Sequence, residues 1–144
     1  MFWVAGVPQP QGSTKSFKIG TKIITTSANK QLRPWRHAVS SDAQTAHQAT
    51  GDGQAMRGAV ALYLEFYFAR PKGHYGVHGL LPSAPKFHIT KPDVSKLIRA
   101  IEDSLVDAGV LRDDNQVVLE VASKSFSDEV RPPGAQIRIV DCNG

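Results

Sequence analysis

The sequence predicts an α+β domain, a mixed β-sheet with two main helices packed on it. Three observations carry this. Residues 59–70, AVALYLEFYFAR, put Val60, Leu62, Leu64, Phe66 and Phe68 in alternation with Ala61, Tyr63, Glu65 and Tyr67, the period of a half-buried strand. From residue 93, Val94, Leu97, Ile98, Ile101 and Leu105 fall on one stripe at ~100° per residue, the period of an amphipathic helix. Shorter β-branched runs lie on both sides of these segments. A chain of 144 residues is the size of one ordinary domain, and residues 1–144 are read as one.

The remaining elements follow in order. FWVAGVP at 2–8 reads as a short strand stopped by Pro8, and QPQGSTKSF as turn formers followed by basic residues. TKIITT at 21–26 is β-branched and predicts a second strand. From about Pro34, a residue suited to a first helical turn, Trp35, Ala38, Val39, Ala43 and Ala46 recur at three- and four-residue spacings and predict a helix. Trp3 and Trp35 are packing residues in this reading, although Trp35, beside Arg33 and Arg36, is also placed to stack on a base. Residues 71–90 hold three glycines and three prolines and predict a long, mobile surface loop. The helix that opens at Asp93 ends at Gly109, which suits the left-handed position after a helix. QVVLEVASKSF at 116–126 and QIRIVD at 136–141 read as strands around the turn DEVRPPGA. The order is β–β–α–β–loop–α–β–β.

Composition narrows the function classes. No run approaches the ~20 apolar residues that span a bilayer, and the first residues lack the basic region of a signal peptide. A cytoplasmic protein with no membrane partner is the expectation. A single cysteine, Cys142, excludes an internal disulfide and a cysteine-based zinc site. The net charge of +4 is compatible with a nucleic-acid partner without requiring one.

A basic chain nevertheless places Asp93, Asp103, Asp113 and Asp114 around one helix. Each has a structural reading. Asp93 precedes an apolar helix as an N-cap, Asp103 lies within pairing distance of Arg99, and Asp113-Asp114-Asn115 is a polar turn. The chemical reading takes Asp93 and Asp114 as ligands of a hard divalent cation such as Mg2+, which prefers carboxylate oxygens. Such an ion polarises a phosphoryl oxygen and generates hydroxide from bound water, with Lys96 or Arg99 steadying the charge that develops. A helix over 93–107 is ~22 Å long and residues 108–114 span at most about 25 Å. Asp114 therefore returns to Asp93 only over a nearly extended link, or else meets Asp93 of a partner chain.

The stretch KPDVSKLIRAIEDSLVDAGVLRDDNQVV resembles the central motif of the RusA family of Holliday junction resolvases, common in phages and prophages. That motif runs K-P-D-x-D-N-L-x-K-x-x-x-D-A-L, a glycine-containing link, then D-D-x-Q-V. Lys91, Pro92, Asp93, Leu97, Asp103, Leu105, Asp113, Asp114, Gln116 and Val117 match in order and spacing. GVPQPQGSTKSF also resembles the family's opening G-x-P-x-P-K/Q-G segment.

The resemblance implies a RusA-like homodimer in a bacterial host cell that binds branched DNA, four-way junctions above all. It implies paired nicking with Mg2+, for which Mn2+ is a substitute. It assigns Asp93 and Asp114 as metal-ligating aspartates and sets Arg99 where the family's lysine assists. Arginine keeps that charge but cannot donate a proton. The family's second aspartate is Ser95 here, a neutral and weaker ligand. Ser95 then ligates or holds a metal-bound water, or Asp113 or Glu65 supplies the missing charge, or the chain binds junctions with little or no cutting. The expectation is an active, rearranged site with catalytic Asp93, Asp114, Arg99 and Ser95 and metal ligands drawn from Asp93, Asp114, Ser95 and Asp113.

DNA contacts are expected from basic side chains. Lys15, Lys18, Lys22, Lys30, Arg33 and Arg36 precede the first acid, Asp42. His88, Lys91 and Lys96 flank Asp93 and complete the set.

Overall fold

In the computed structural model, residues 1–12, 14–27 and 29–143 are described, and their side chains except those of 14–17 and 24–27. The chain runs β1 (Phe2–Ala5), β2 (Thr14–Ile19), β3 (Lys22–Ser27), α1 (Leu32–Thr50), β4 (Val60–Phe68), β5 (Tyr75–Gly76), β6 (Gly79–Leu80), α2 (Val94–Asp107), β7 (Val117–Phe126) and β8 (Gly134–Asp141). Four strands form the main sheet in the order β1-β8-β4-β7. β4 pairs parallel with β7 and antiparallel with β8, so the sheet is mixed, as expected.

Alternation along β4 decides the layering. Val60, Leu62, Leu64, Phe66 and Phe68 enter one core with Trp35 and Val39 of α1 and Leu97, Ile101 and Leu105 of α2. Both helices therefore lie on one face. They are also joined by Ser40 Oγ, which donates to the Ser104 carbonyl at 2.9 Å. Tyr63, Glu65 and Tyr67 point to the other face, where Trp3 of β1 meets Tyr67 at 5.9 Å between ring centroids.

Several boundaries differ from the sequence expectation. The first strand stops at Ala5, because Gly6 turns the chain with a φ of 124°. β2 was not expected, its residues having read as turn formers; it pairs with β3 as a separate hairpin. The two-residue link is Gly20-Thr21, and the φ of 60° at Gly20 suits the first position of a type II′ turn. α1 starts at Leu32, so Pro34 still sits in the first turn, where its missing N–H costs nothing. Gly109 ends α2 with a φ of 74°, as its position predicted.

The 71–90 segment is not a free loop. Phe87 bridges Ser125, His88 N–H donates to the Lys124 carbonyl at 3.2 Å, and Arg70 donates to the Pro85 carbonyl at 2.8 Å. These contacts cover the C-terminal half of the β7 edge. Among the described residues, no helix is long and apolar enough to cross a membrane.

Candidate active site

α2 turns Leu97, Ala100, Ile101, Ser104 and Leu105 inward. Ser95, Arg99 and Asp103 remain on the outer side at four-residue steps, about 6 Å apart along the axis. Asp93 occupies the N-cap position with ψ of 140° but makes no side-chain cap hydrogen bond. Its carboxylate is exposed and lies 3.8 Å from Lys96 Nζ. The approach to the helix is clamped by Lys124 of β7, whose Nζ donates to the carbonyls of Thr90 and Pro92, both at 2.7 Å. The N-terminal segment closes over the same end, since Gln11 N–H donates to the Lys96 carbonyl at 3.0 Å. Gln11, Gly12, Ser95, Lys96 and Arg99 line one cleft there.

The other end of α2 is acidic. Asp113 caps the 3-10 turn Asp114–Gln116, accepting from Asn115 N–H at 2.8 Å. Gln116 Oε1 accepts in return from the N–H groups of Asp113 at 3.1 Å and Arg112 at 2.7 Å. This fixes the backbone of Asp114 and leaves its carboxylate exposed. Arg36, Asp103, Asp107, Arg112, Asp113 and Asp114 line a second cleft.

Electrostatics mark this end. Glu102 of α2 has its pKa pushed up to about 7, first by burial, then by a carboxyl–carboxyl hydrogen bond with Glu120 of β7 and the charges of Glu120, Asp114 and Asp103. Burial also raises Asp103, against the opposing pull of Arg36 and Arg99. A divalent cation beside these carboxylates would relieve their repulsion, and oxygen donors of this kind suit a hard one.

The two ends do not meet within one chain. Asp114 is electrostatically coupled to Glu102 and Asp103, and the level of Asp103 is about 15 Å along the helix from Asp93. The link does not extend back towards the helix start because Val110 and Leu111 are buried in the core and Met56 N–H binds the Val110 carbonyl at 2.8 Å. β7 gives a second measure. Its Lys124 sits beside Pro92, whereas Val117 follows directly on the Asp114 turn, seven residues or about 23 Å away. Among the described residues, no three His, Cys, Asp or Glu side chains lie together closely enough to hold a metal ion. Within one chain the candidate residues thus fall into two separate groups, Asp93 with Ser95 and Arg99, and Asp114 with Asp113.

The other sequence candidates are placed as follows. Lys18, Arg33 and Lys91 are exposed, and the side chain of Lys15 lies outside the described residues. Arg36 is bound to Asp107 at 2.5 Å. His88 is stacked on Phe68 at 4.3 Å and lies 5.3 Å from Phe126. Burial and Lys124 lower its pKa, and the ring packs against these two aromatics. Glu65 points away from the helices and meets Tyr67 Oη at 3.2 Å and Arg131 at 3.5 Å. It therefore cannot supply the charge missing at Ser95 of its own chain.

Glu102, Glu120 and Lys124 escaped the sequence reading. Their one local signal is the alternation of Glu120, Ala122 and Lys124, which in parallel register with Leu62, Leu64 and Phe66 face the helix side. Glu102 gives a pH-dependent prediction. Its folded pKa lies above the unfolded value, so its contribution is fully present below about 4.5 and is lost as pH rises through about 7. Glu102→Gln, which keeps the neutral form, is expected to be more stable than wild type at pH 8 and equal at pH 4.5. Half-exposure discounts the gain to about 1 kcal/mol, roughly 3 °C in Tm. A pH-independent difference in Tm would contradict the shared proton.

No curated protein is found that matches the sequence. The family model described as endodeoxyribonuclease RusA matches residues 5–140. That span covers nearly the whole chain, both groups of candidate residues included, so the chain belongs to the RusA family of endodeoxyribonucleases, Holliday junction resolvases that hydrolyse phosphodiester bonds.

Proposed function

We propose that the protein is a magnesium-dependent endonuclease that resolves four-way DNA junctions as a homodimer, each metal site being shared between Asp93 and Ser95 of one protomer and Asp114 of the other. The observation that carries this reading is the separation of Asp93 from Asp114 along α2. Two-fold packing of α2 helices side by side and antiparallel brings the start of one beside the end of the other, and does so twice. The uncovered half of the β7 edge supports a contact at this place. Val118, Leu119 and Val121 are 64%, 48% and 51% exposed there, and an exposed apolar edge strand favours pairing.

The residues then divide the work. A bound Mg2+ supplies Lewis-acid polarisation of the scissile phosphate and a hydroxide at neutral pH. Asp93 and Asp114 provide its charged ligands, and Ser95 contributes a neutral oxygen or orients a water. Asp113 holds the turn that presents Asp114. Arg99, one turn from Ser95, sits where a cation offsets charge on the phosphate but, unlike lysine, gives up no proton. Lys18, Arg33, Lys91 and Lys96 meet the backbone of the arms, making binding fall with salt.

The test is incubation with a synthetic four-way junction and with linear duplex. Paired nicks in the junction with Mg2+ or Mn2+, and none in the duplex, are expected. Ser95 favours a second reading, a protein that binds junctions without cutting them. Tight binding with the junction left whole in both metals would establish that reading instead.

A further inference from the structure

A third cleft opens away from Asp93 and Asp114, between the β5–β6 hairpin, residues 86–87 and the C-terminal end of β7. Its volume is about 610 Å³, inside the range of roughly 300–1,000 Å³ typical of small-ligand sites. Two of its aromatic rings, Tyr75 and Phe87, are 50% and 52% exposed, although rings of this size gain by burial. Each cation lies over a ring: Lys86 Nζ is 5.6 Å from the Phe87 centroid, Arg70 is 4.4 Å from Phe126, and Arg131 is 5.3 Å from Tyr67. No Asp or Glu occurs between Glu65 and Asp93, while Arg70, Lys72, Lys86 and Lys91 do. Of the two acids on the far wall, Asp128 is engaged by its own turn, accepting from Val130 and Arg131 N–H groups at 2.9 and 2.7 Å.

We propose that this cleft takes one unpaired nucleotide of the DNA, its base against Phe87 and Tyr75 and its phosphate at Lys86 and Arg70. The inference rests on the junction-nuclease reading for its substrate class. The chemistry is specific to an unstacked base. Aromatic faces bind any base whose own face is free, and a cation beside them takes the phosphate. Inside a linear duplex every base is stacked on both faces, whereas a pair at an opened branch point loses a stacking neighbour, so a nucleotide is splayed out there at lower cost. Arg70 keeps N–H groups to spare, since its guanidinium carries five donors and only one nitrogen is engaged, with the Pro85 carbonyl at 2.8 Å and His74 Nδ1 at 3.2 Å. The cleft is also tied to the cleavage site, because Phe87 lies six residues before Asp93, no more than about 20 Å of chain. A nucleotide seated there would favour branched over linear DNA and fix which phosphate reaches Asp93.

The test measures binding of a fluorescent oligothymidylate and of linear duplex in EDTA, so that no metal chemistry enters. Phe87→Ala is expected to weaken single-strand binding about tenfold, the loss of one stacked base, with duplex affinity and Tm unchanged. Phe87→Trp is expected to keep it. Equal single-strand affinity in wild type and Phe87→Ala, or no single-strand binding by wild type, overturns the proposal. Failure of the nuclease reading looks different: Phe87-dependent single-strand binding persists while the wild type leaves junctions whole.

Discussion

Asp114→Asn is expected to lower the rate of junction cleavage in Mg2+ by about a thousandfold, and Asp93→Asn to do the same. Loss of a charged ligand removes several kcal/mol of transition-state stabilisation, and each 1.36 kcal/mol is a factor of ten. Neither change should unfold the protein. Asp114 is exposed, and the cap of its turn belongs to Asp113. Asp93 makes no side-chain cap bond, and its exposed pairing with Lys96 at 3.8 Å is worth little. Junction binding is expected to persist in both variants, because the backbone contacts lie on lysines and arginines. A single-turnover cleavage assay beside a binding titration separates the two effects. A variant that cuts at the wild-type rate would remove its aspartate from the site.

Phe66→Ala is expected to destabilise the fold by about 3–5 kcal/mol, a large part of the roughly 5–15 kcal/mol that holds a domain together. Phe66 is fully buried. It lies on β4, which has a neighbouring strand on each side, so neither can shift to fill the void without breaking ladder hydrogen bonds. The ring also supports the floor under α2, so loss of packing there loosens the helix that carries Asp93 and Ser95. Urea unfolding should show a lower midpoint with an unchanged slope. A shift of under about 1 kcal/mol would mean that the core collapses around the gap.

The elements with the strongest periodicity were legible in the sequence. β4 and α2 appear where alternation and the apolar stripe put them, because each buries one face against the other. Gly109 was legible for a local reason, the left-handed backbone it must adopt. β2 was hidden by its composition: TKSFKI has serine, threonine and lysine where a core strand would alternate, since it pairs only with β3. The site was legible in its parts and not in its assembly. Asp93 and Asp114 stood out as candidate ligands by residue type, and Ser95, Arg99 and Asp113 were added to them through the resemblance to the family motif. Their division into two groups depends on α2 running unbroken to Asp107 and on Val110 and Leu111 being drawn into the core. Contacts between elements left no mark in the sequence. Arg36 looked like a phosphate contact but binds Asp107, and Glu102, which drew no reading at all, meets Glu120 across the gap between α2 and β7.

The shared site is tested most directly by refolding Asp93→Asn and Asp114→Asn chains together and assaying the mixture on a four-way junction with Mg2+. In a mixed dimer, the intact Asp93 of one chain faces the intact Asp114 of the other at a single site, while the second site carries both lesions. The account predicts that two dead proteins regain cleavage, as single nicks rather than paired ones. If the mixture stays as inactive as either parent while the wild type cuts, each site is built within one chain and the account is wrong.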